Sequence, residues 1–379
     1  MKVTGEDLRK ALIALSFGLE PIIFAIVGWY AGPYLGLTNV MGALIGVIVG
    51  FGIMFWRIWR FSLTLGLKIR YDPERVDLRS LISLVEAERY KILTRYDIAK
   101  IMGARGSLQL LNVLKNLSLI KLNFYDLNKL SSILEELTDF SKVLIDVRVR
   151  SPIELLTIID DFNDFLVALC VNFAFRYEVH GDEVARGYVV TPFKLKRDAQ
   201  DLLREDLKDY LANDDIRRLY PRALEESLTI GSRGPLLALA AYSLLKMGRD
   251  LEVTKYAYAY SNEVRRLAYK LFLIAINDLR REGKKSVIAE AVEQKIREVK
   301  LSIKKEEEVI GKEEDVLRNF VGDSYRALIE PSKVPLTAKA VLSYLFVKWS
   351  EKASLKLAFM AASDEVAPQK AYESLIVPH

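Results

Sequence analysis

The chain has 379 residues, 51% hydrophobic and 28% charged, and its 55 Lys and Arg against 50 Asp and Glu leave a net charge of +5. That is apolar matter enough for a sizeable core, which excludes wholesale disorder, and the small positive excess does not mark a nucleic-acid binder. One cysteine, Cys170, and two histidines, His180 and His379, exclude an intrachain disulfide framework and a Cys/His zinc site, and neither a Walker-type phosphate loop nor a G-x-S-x-G elbow occurs.

From Ala11 to Tyr30 the chain is apolar except for Ser16 and Glu20, and from Val40 to Trp56 it carries no charge. Each run can make about 20 helical residues, the length a bilayer core demands. The pattern predicts a transmembrane hairpin in residues 1–70, with spans over about 11–31 and 40–59 joined by "AGPYLGLTN". Lys2, Arg9 and Lys10 precede the first span, Arg57, Arg60, Lys68 and Arg70 follow the second, and the turn has no basic residue. The N-terminus and everything after the hairpin are therefore expected on the cytoplasmic side of the cell membrane. Trp29, Tyr30 and Tyr34 would lie near one interface, Trp56 and Trp59 near the other.

Gly28, Gly32 and Gly36 are spaced by four, as are Gly42, Gly46 and Gly50. Small residues at that spacing make a face on which another helix can pack closely, the second span included. Glu20, followed by Pro21, falls in the middle third of the first span. A carboxyl there is a candidate ion carrier. Two plainer readings are a later start to the span and a protonated group bonded to a neighbouring helix.

Beyond Tyr71 the chain turns charge-rich. "YDPERVDLRS" reads as a linker and helix start, and apolar residues then recur at helical spacing to the end. "SLISLVEAERYKIL" places Leu81, Leu84, Val85, Ala87 and Ile92 on one side. Ser151 and Pro152 read as the cap and first residue of a long helix containing Cys170, a buried structural thiol. Tyr256, Tyr258 and Tyr260 beside Lys255 read as ordinary packing rather than a base-stacking platform. A further helix ends at Gly283 behind basic residues, and "KKEEEVIGKEED" reads as a solvated face or turn. The expected fold is all-α. Three segments share an acidic start, a short helix, a break and a second helix: "YDIAKIMGARGSLQLLNVLKNLS", "EDLKDYLANDDIRRLYPRALEES" and "GKEEDVLRNFVGDSYRALIE". They suggest three pseudo-repeated helical units in the body 71–379, at about 80–185, 186–300 and 301–379.

The closing stretch, "PLTAKAVLSYLFVKWSEKASLKLAFMAASDEVAPQKAYESLIVP", resembles the last segment of the central-stalk subunit of archaeal and vacuolar rotary ATPases, called C and d respectively. Tyr344, Leu345, Lys348, Glu351 and Leu355 fall on that family's pattern, Lys356 stands where it usually has Arg, and Pro368, Tyr372 and Leu375 frame the final helix. Trp349, Ser354 and Ala358 depart from it, and "TRYDIAKIMGARGSLQLLNVLKN" looks like the family's first repeat. The resemblance spans roughly residues 80–377. It implies a threefold pseudo-symmetric helical funnel that joins a membrane proteolipid ring to the central shaft subunits, with no catalytic residue and no cofactor. Usual members lack membrane spans. The hairpin segments "FGLEPIIFAIVGWYAGPYLGL" and "GALIGVIVGFGIMFWRIWR" loosely resemble the small two-span proteins encoded beside bacterial rotary ATP synthase genes. A membrane-anchored helical adaptor or assembly factor with no rotor duty is the alternative. The expected partners are thus the proteolipid ring, the shaft and the bilayer, and no nucleic acid.

Overall fold

The computed structural model describes residues 23–65, 78–89, 91–120, 130–193, 199–204, 207–253, 258–298, 312–329 and 338–377. Every regular element among them is helical, as the 3–4 residue apolar spacing requires. By its contacts the chain falls into two compact units, Met1–Arg70 and Tyr71–His379.

The first unit is a helical hairpin. Helix α1 covers 23–31 of the described residues. A 3-10 turn, Gly32–Leu35, has Pro33 in its first turn and closes at Gly36, whose φ of 75° is the left-handed region that glycine enters without strain. Helix α2, Asn39–Leu65, opens with the Thr38 hydroxyl accepting from the Met41 N–H at 3.3 Å. It runs past the end near 59 that hydropathy suggested, because nothing in "RFSLTL" breaks a helix. Glu20 lies outside the described residues.

In the second unit the early helices are α3 (Leu78–Arg89), α4 (Arg95–Met102), α5 (Ser107–Asn116), α6 (Leu130–Thr138) and α7 (Ser141–Arg150). Next come α8 (Ile153–His180), α9 (Glu183–Gly187), α10 (Ala199–Arg204), a 3-10 turn at Leu207–Tyr210, and α11 (Asp214–Ile230). The last are α12 (Gly234–Val253), α13 (Tyr258–Arg281), α14 (Val287–Glu298), α15 (Glu313–Ile329), α16 (Ala338–Ala362) and α17 (Pro368–Glu373). Thr94 and Asp97 form a reciprocal capping box on α4. The start of α8 is one residue later than expected. Pro152 is its cap, and the Ser151 hydroxyl donates back to the Val147 carbonyl of α7 at 2.7 Å.

Helices α8 and α16 are the axes of this unit. Both are apolar nearly all round, so each must be enclosed by others. Helix α12 lies against α8, α11, α13 and α14, while α16 is covered by α3, α4, α6, α7, α9, α15 and α17. Phe162 on α8 meets Phe346 on α16 edge to face at 4.8 Å, and Phe320 on α15 meets the same ring at 4.8 Å. Such contacts add about 0.5–1.5 kcal/mol beyond the area buried. Packing thus runs across the boundaries drawn for three units, since α16 from the last third sits among helices of the first. The segments also differ in build. The first forms α4, a break and α5, the second a 3-10 turn and α11, and the third the unbroken α15.

A buried charge cluster closes the far side of α8. Glu313, the first residue of α15, is fully buried. Its carboxylate accepts from Asn172 Nδ2 at 3.1 Å, Arg176 Nη1 at 2.6 Å and Arg233 Nη1 at 2.9 Å. Arg176 also reaches Glu314 and Asp182, and Arg233 Nε donates to Asp278 Oδ2 at 2.7 Å. Part of "KKEEEVIGKEED" is therefore interior rather than solvated. The reason is that two arginines await it. Burial alone would raise the Glu313 pKa, but Arg233 and Arg176 hold it below the ordinary carboxylate value. Burial and the neighbouring Glu313 charge push Glu314 the other way.

Glu313→Ala strips one carboxylate from two buried guanidinia, so it should cost about 3–5 kcal/mol. Glu293→Ala removes only the exposed i, i+4 pair with Arg297, and should cost less than about 0.5 kcal/mol. Urea unfolding of the full chain in neutral detergent, followed by circular dichroism, checks both.

Candidate functional site

Three places in the structure carry features that folding alone does not demand. In the hairpin, α1 and α2 meet through glycines. A Cβ added to Gly28 would lie 2.1 Å from the Gly42 carbonyl oxygen, one on Gly42 2.2 Å from that of Gly28, and one on Gly46 2.0 Å from that of Phe24. A Cβ on Gly32 would lie 3.1 Å from the Gly42 Cα. Four of the six spaced glycines thus make one seam. Gly36 serves the turn, with open space around it, and Gly50 is buried. With backbones this close the large side chains turn outward. Ile23, Ile26, Val27, Leu44, Ile48 and Phe51 are all exposed, as are Trp29, Tyr30 and Tyr34. The arrangement is the reverse of a water-facing helix pair, which hides its aliphatics in the seam. Among the described residues no helix is long and apolar enough to cross a membrane. Side chains of α2 are described only through residue 52.

The second place is α16. Tyr344, Lys348, Glu351 and Leu355 are buried there, and Lys356 is half-buried. Lys348 Nζ lies 3.1 Å from Glu351 Oε2 and 3.7 Å from Glu88 Oε2 of α3. Lys352 Nζ donates to the Leu137 carbonyl at 2.6 Å, and Lys356 Nζ to that of Val189 at 2.8 Å. These cations spend their charge inside the unit, stitching α16 to the helices that enclose it. The C-terminal segment is tied down similarly, by Arg318 to the Leu375 and Glu373 carbonyls at 2.7 and 2.6 Å and by Arg95 to Tyr372. Cys170 is buried, its thiol donating to the Val190 carbonyl at 3.1 Å, and burial pushes its pKa up to about 12. It is an inert packing thiol.

The third place escaped the sequence reading. A cleft of about 1030 Å³ opens between α11, α12 and α14. Its lining includes Arg218, Arg222, Lys246, Arg249 and Lys295, with Tyr242 among them. The available signal was the pair Arg218 and Arg222, one helical turn apart on α11, but only the fold brings Arg249 and Lys295 beside them. Beneath the cleft lies a run of acids on α8. Asp164 accepts from the Ala212 and Asn213 amides at 2.7 and 2.9 Å, fixing the segment before α11. Burial raises its pKa to about 6. Asp161 accepts from Lys246 Nζ at 2.9 Å. Burial pushes its carboxyl up to about 8 against the pull of that ammonium, helped by the nearby Asp250. Among the described residues no cluster of His, Cys, Asp and Glu could hold a metal ion. No known protein family, curated protein or solved structure matches the chain.

Gly46→Leu should part α1 from α2, while Gly52→Leu, with nothing within 4 Å, should not. Amide hydrogen exchange over 39–52 in micelles should speed up at least about tenfold in the first variant only.

Asp161 binds its proton more tightly folded than unfolded, where carboxyls titrate near about 4. Its protonation therefore stabilises the fold at low pH, and that contribution fades as pH rises toward about 8. Asp161→Asn should flatten the decline above pH 7, where Asp164 has largely finished titrating, by on the order of 1 kcal/mol. Urea midpoints measured from pH 5 to 9 give the comparison.

Proposed function

We propose that this chain is a non-catalytic coupling protein, held at a bilayer by its N-terminal hairpin. In its most specific form it is the central-stalk (rotor) subunit of an archaeal- or vacuolar-type ATP synthase, linking a proteolipid ring to the central shaft. The observation that carries the membrane half of this reading is the inverted hairpin, with backbone against backbone along the glycine seam and aliphatics outward. A bilayer rewards that exposure and water does not. The coupling half rests on the resemblance in α16 and on how its charges are spent. Lys348, Lys352 and Lys356 bind to their own unit, which suits a stiff strut and supplies no nucleophile or general base at a surface. The seam glycines hold the two hairpin helices to each other, so a neighbouring membrane helix would meet the outward aliphatics.

The second reading is a membrane-anchored helical adaptor or assembly factor without rotor duty. What favours it is the packing of α16 among the early helices, which does not follow three separate pseudo-repeats.

Purification in mild detergent followed by mass spectrometry decides between them. The rotor reading expects co-migration with a proteolipid ring and shaft subunits. Co-migration with other membrane proteins and no ring supports the adaptor, and release into the soluble fraction without detergent sinks both. In the same preparation Glu20→Gln should leave ion translocation intact, because neither reading asks that carboxyl to carry an ion.

A further inference from the structure

We propose that the cleft between α11, α12 and α14 is a binding site for a polyphosphorylated ligand, either soluble or a phosphorylated lipid headgroup. Seven of its lining residues are Lys or Arg and two, Asp215 and Glu298, are acidic. Among the described residues most buried and half-buried cations are matched to carboxylates or carbonyls, and several in the cleft are too. Lys246 leans on Asp161, Arg217 donates to the Lys208 and Leu211 carbonyls, and Lys295 pairs with Glu298. Arg218 and Arg222 line the same cleft with their charge unspent. Both are exposed, and neither makes a hydrogen bond or ion pair with the described residues. Like charges one helical turn apart destabilise a helix by a few tenths of a kcal/mol. An anion lying between them reverses that sign.

The walls are held in place before any ligand arrives. Glu226 of α11 accepts from the Val287 and Ile288 amides at 2.7 and 3.3 Å, clamping the start of α14. Asp164 fixes the segment ahead of α11 on α8, and Arg217 ties that helix to the 3-10 turn. Guanidinium forks suit phosphate because two N–H groups meet two oxygens in one plane. The cations stand on three different helices around about 1030 Å³, the upper end of small-ligand cavities. One phosphate cannot reach all of them, so the ligand carries several. Tyr242, half-buried in the same wall, offers a hydroxyl to a phosphate oxygen.

The test uses the full chain in neutral-detergent micelles and inorganic tripolyphosphate, by calorimetry at low salt. Arg218→Glu with Arg222→Glu should weaken binding at least about tenfold, with the thermal midpoint unchanged because both side chains are exposed. Arg280→Glu with Arg281→Glu, a basic pair on α13 away from the cleft, should leave binding intact. Displacement of tripolyphosphate by phosphatidylinositol bisphosphate doped into the micelles assigns the site to a lipid headgroup, and failure to displace assigns it to a soluble phosphate. Either result supports the site. No binding by the unaltered chain overturns it, as does equal weakening by the two double variants. Displacement by polyglutamate of equal charge also overturns it, since the cleft would then take an acidic protein segment.

Discussion

The carboxylate of Glu313 is the point on which the large unit turns. One side chain with no exposed surface accepts from an asparagine and an arginine of α8 and from the arginine ahead of α12, and through Arg176 and Arg233 it reaches Asp182 and Asp278 as well. Taking such charges out of water is expensive, and a well-packed apolar cluster would often be as stable. What the ions add is direction. Hydrophobic contact tolerates a helix sliding by a turn, whereas a shared carboxylate between two guanidinium forks accepts one register. Helix α15 begins at this residue, so its register against α8, α12 and α13 is fixed at one end.

The two units use opposite adhesives. The hairpin brings glycine to glycine, so cohesion comes from close van der Waals approach of two backbones, with no side chain between them. Its outward aliphatics would be a liability in water. The large unit instead buries Trp349, Phe346, Phe162 and their neighbours completely and ties its cations inward. That division follows composition directly, because 51% hydrophobic residues are distributed as one uncharged stretch and one amphipathic remainder.

Helix content, the hairpin turn and the buried faces were legible in sequence because each depends on residues three or four apart. Leu81 and Val85 are buried on α3 as that spacing says, although Ala87 beside them is exposed. Long-range pairing was not legible. Arg176 and Glu313 are 137 residues apart, and an acidic run reads as solvent-facing whenever its partners lie that far off. The same holds for the threefold division. Similar local strings predict similar local helices, but which helices enclose α16 depends on its all-round apolarity, a property that says it must be covered without saying by what. The cleft was missed for a related reason, since α11 contributes an arginine pair that is commonplace alone and distinctive only beside Arg249 and Lys295.

Seen together, the cations sort by what they are asked to do. Those inside the fold, Arg176, Arg233, Lys348, Lys352 and Lys356, are matched to carboxylates or carbonyls, so they hold shape and attract nothing from outside. Arg218 and Arg222 are left unmatched on a wall that other pairs keep rigid. A field that is not neutralised internally persists into the cleft, where flanking protein replaces water on several sides and screens it less than open solvent does. Rigidity and attraction are therefore linked. The clamps at Glu226, Asp164 and Arg217 forbid the cleft from collapsing on its own acids, and that prohibition is what keeps positive charge available to an incoming anion.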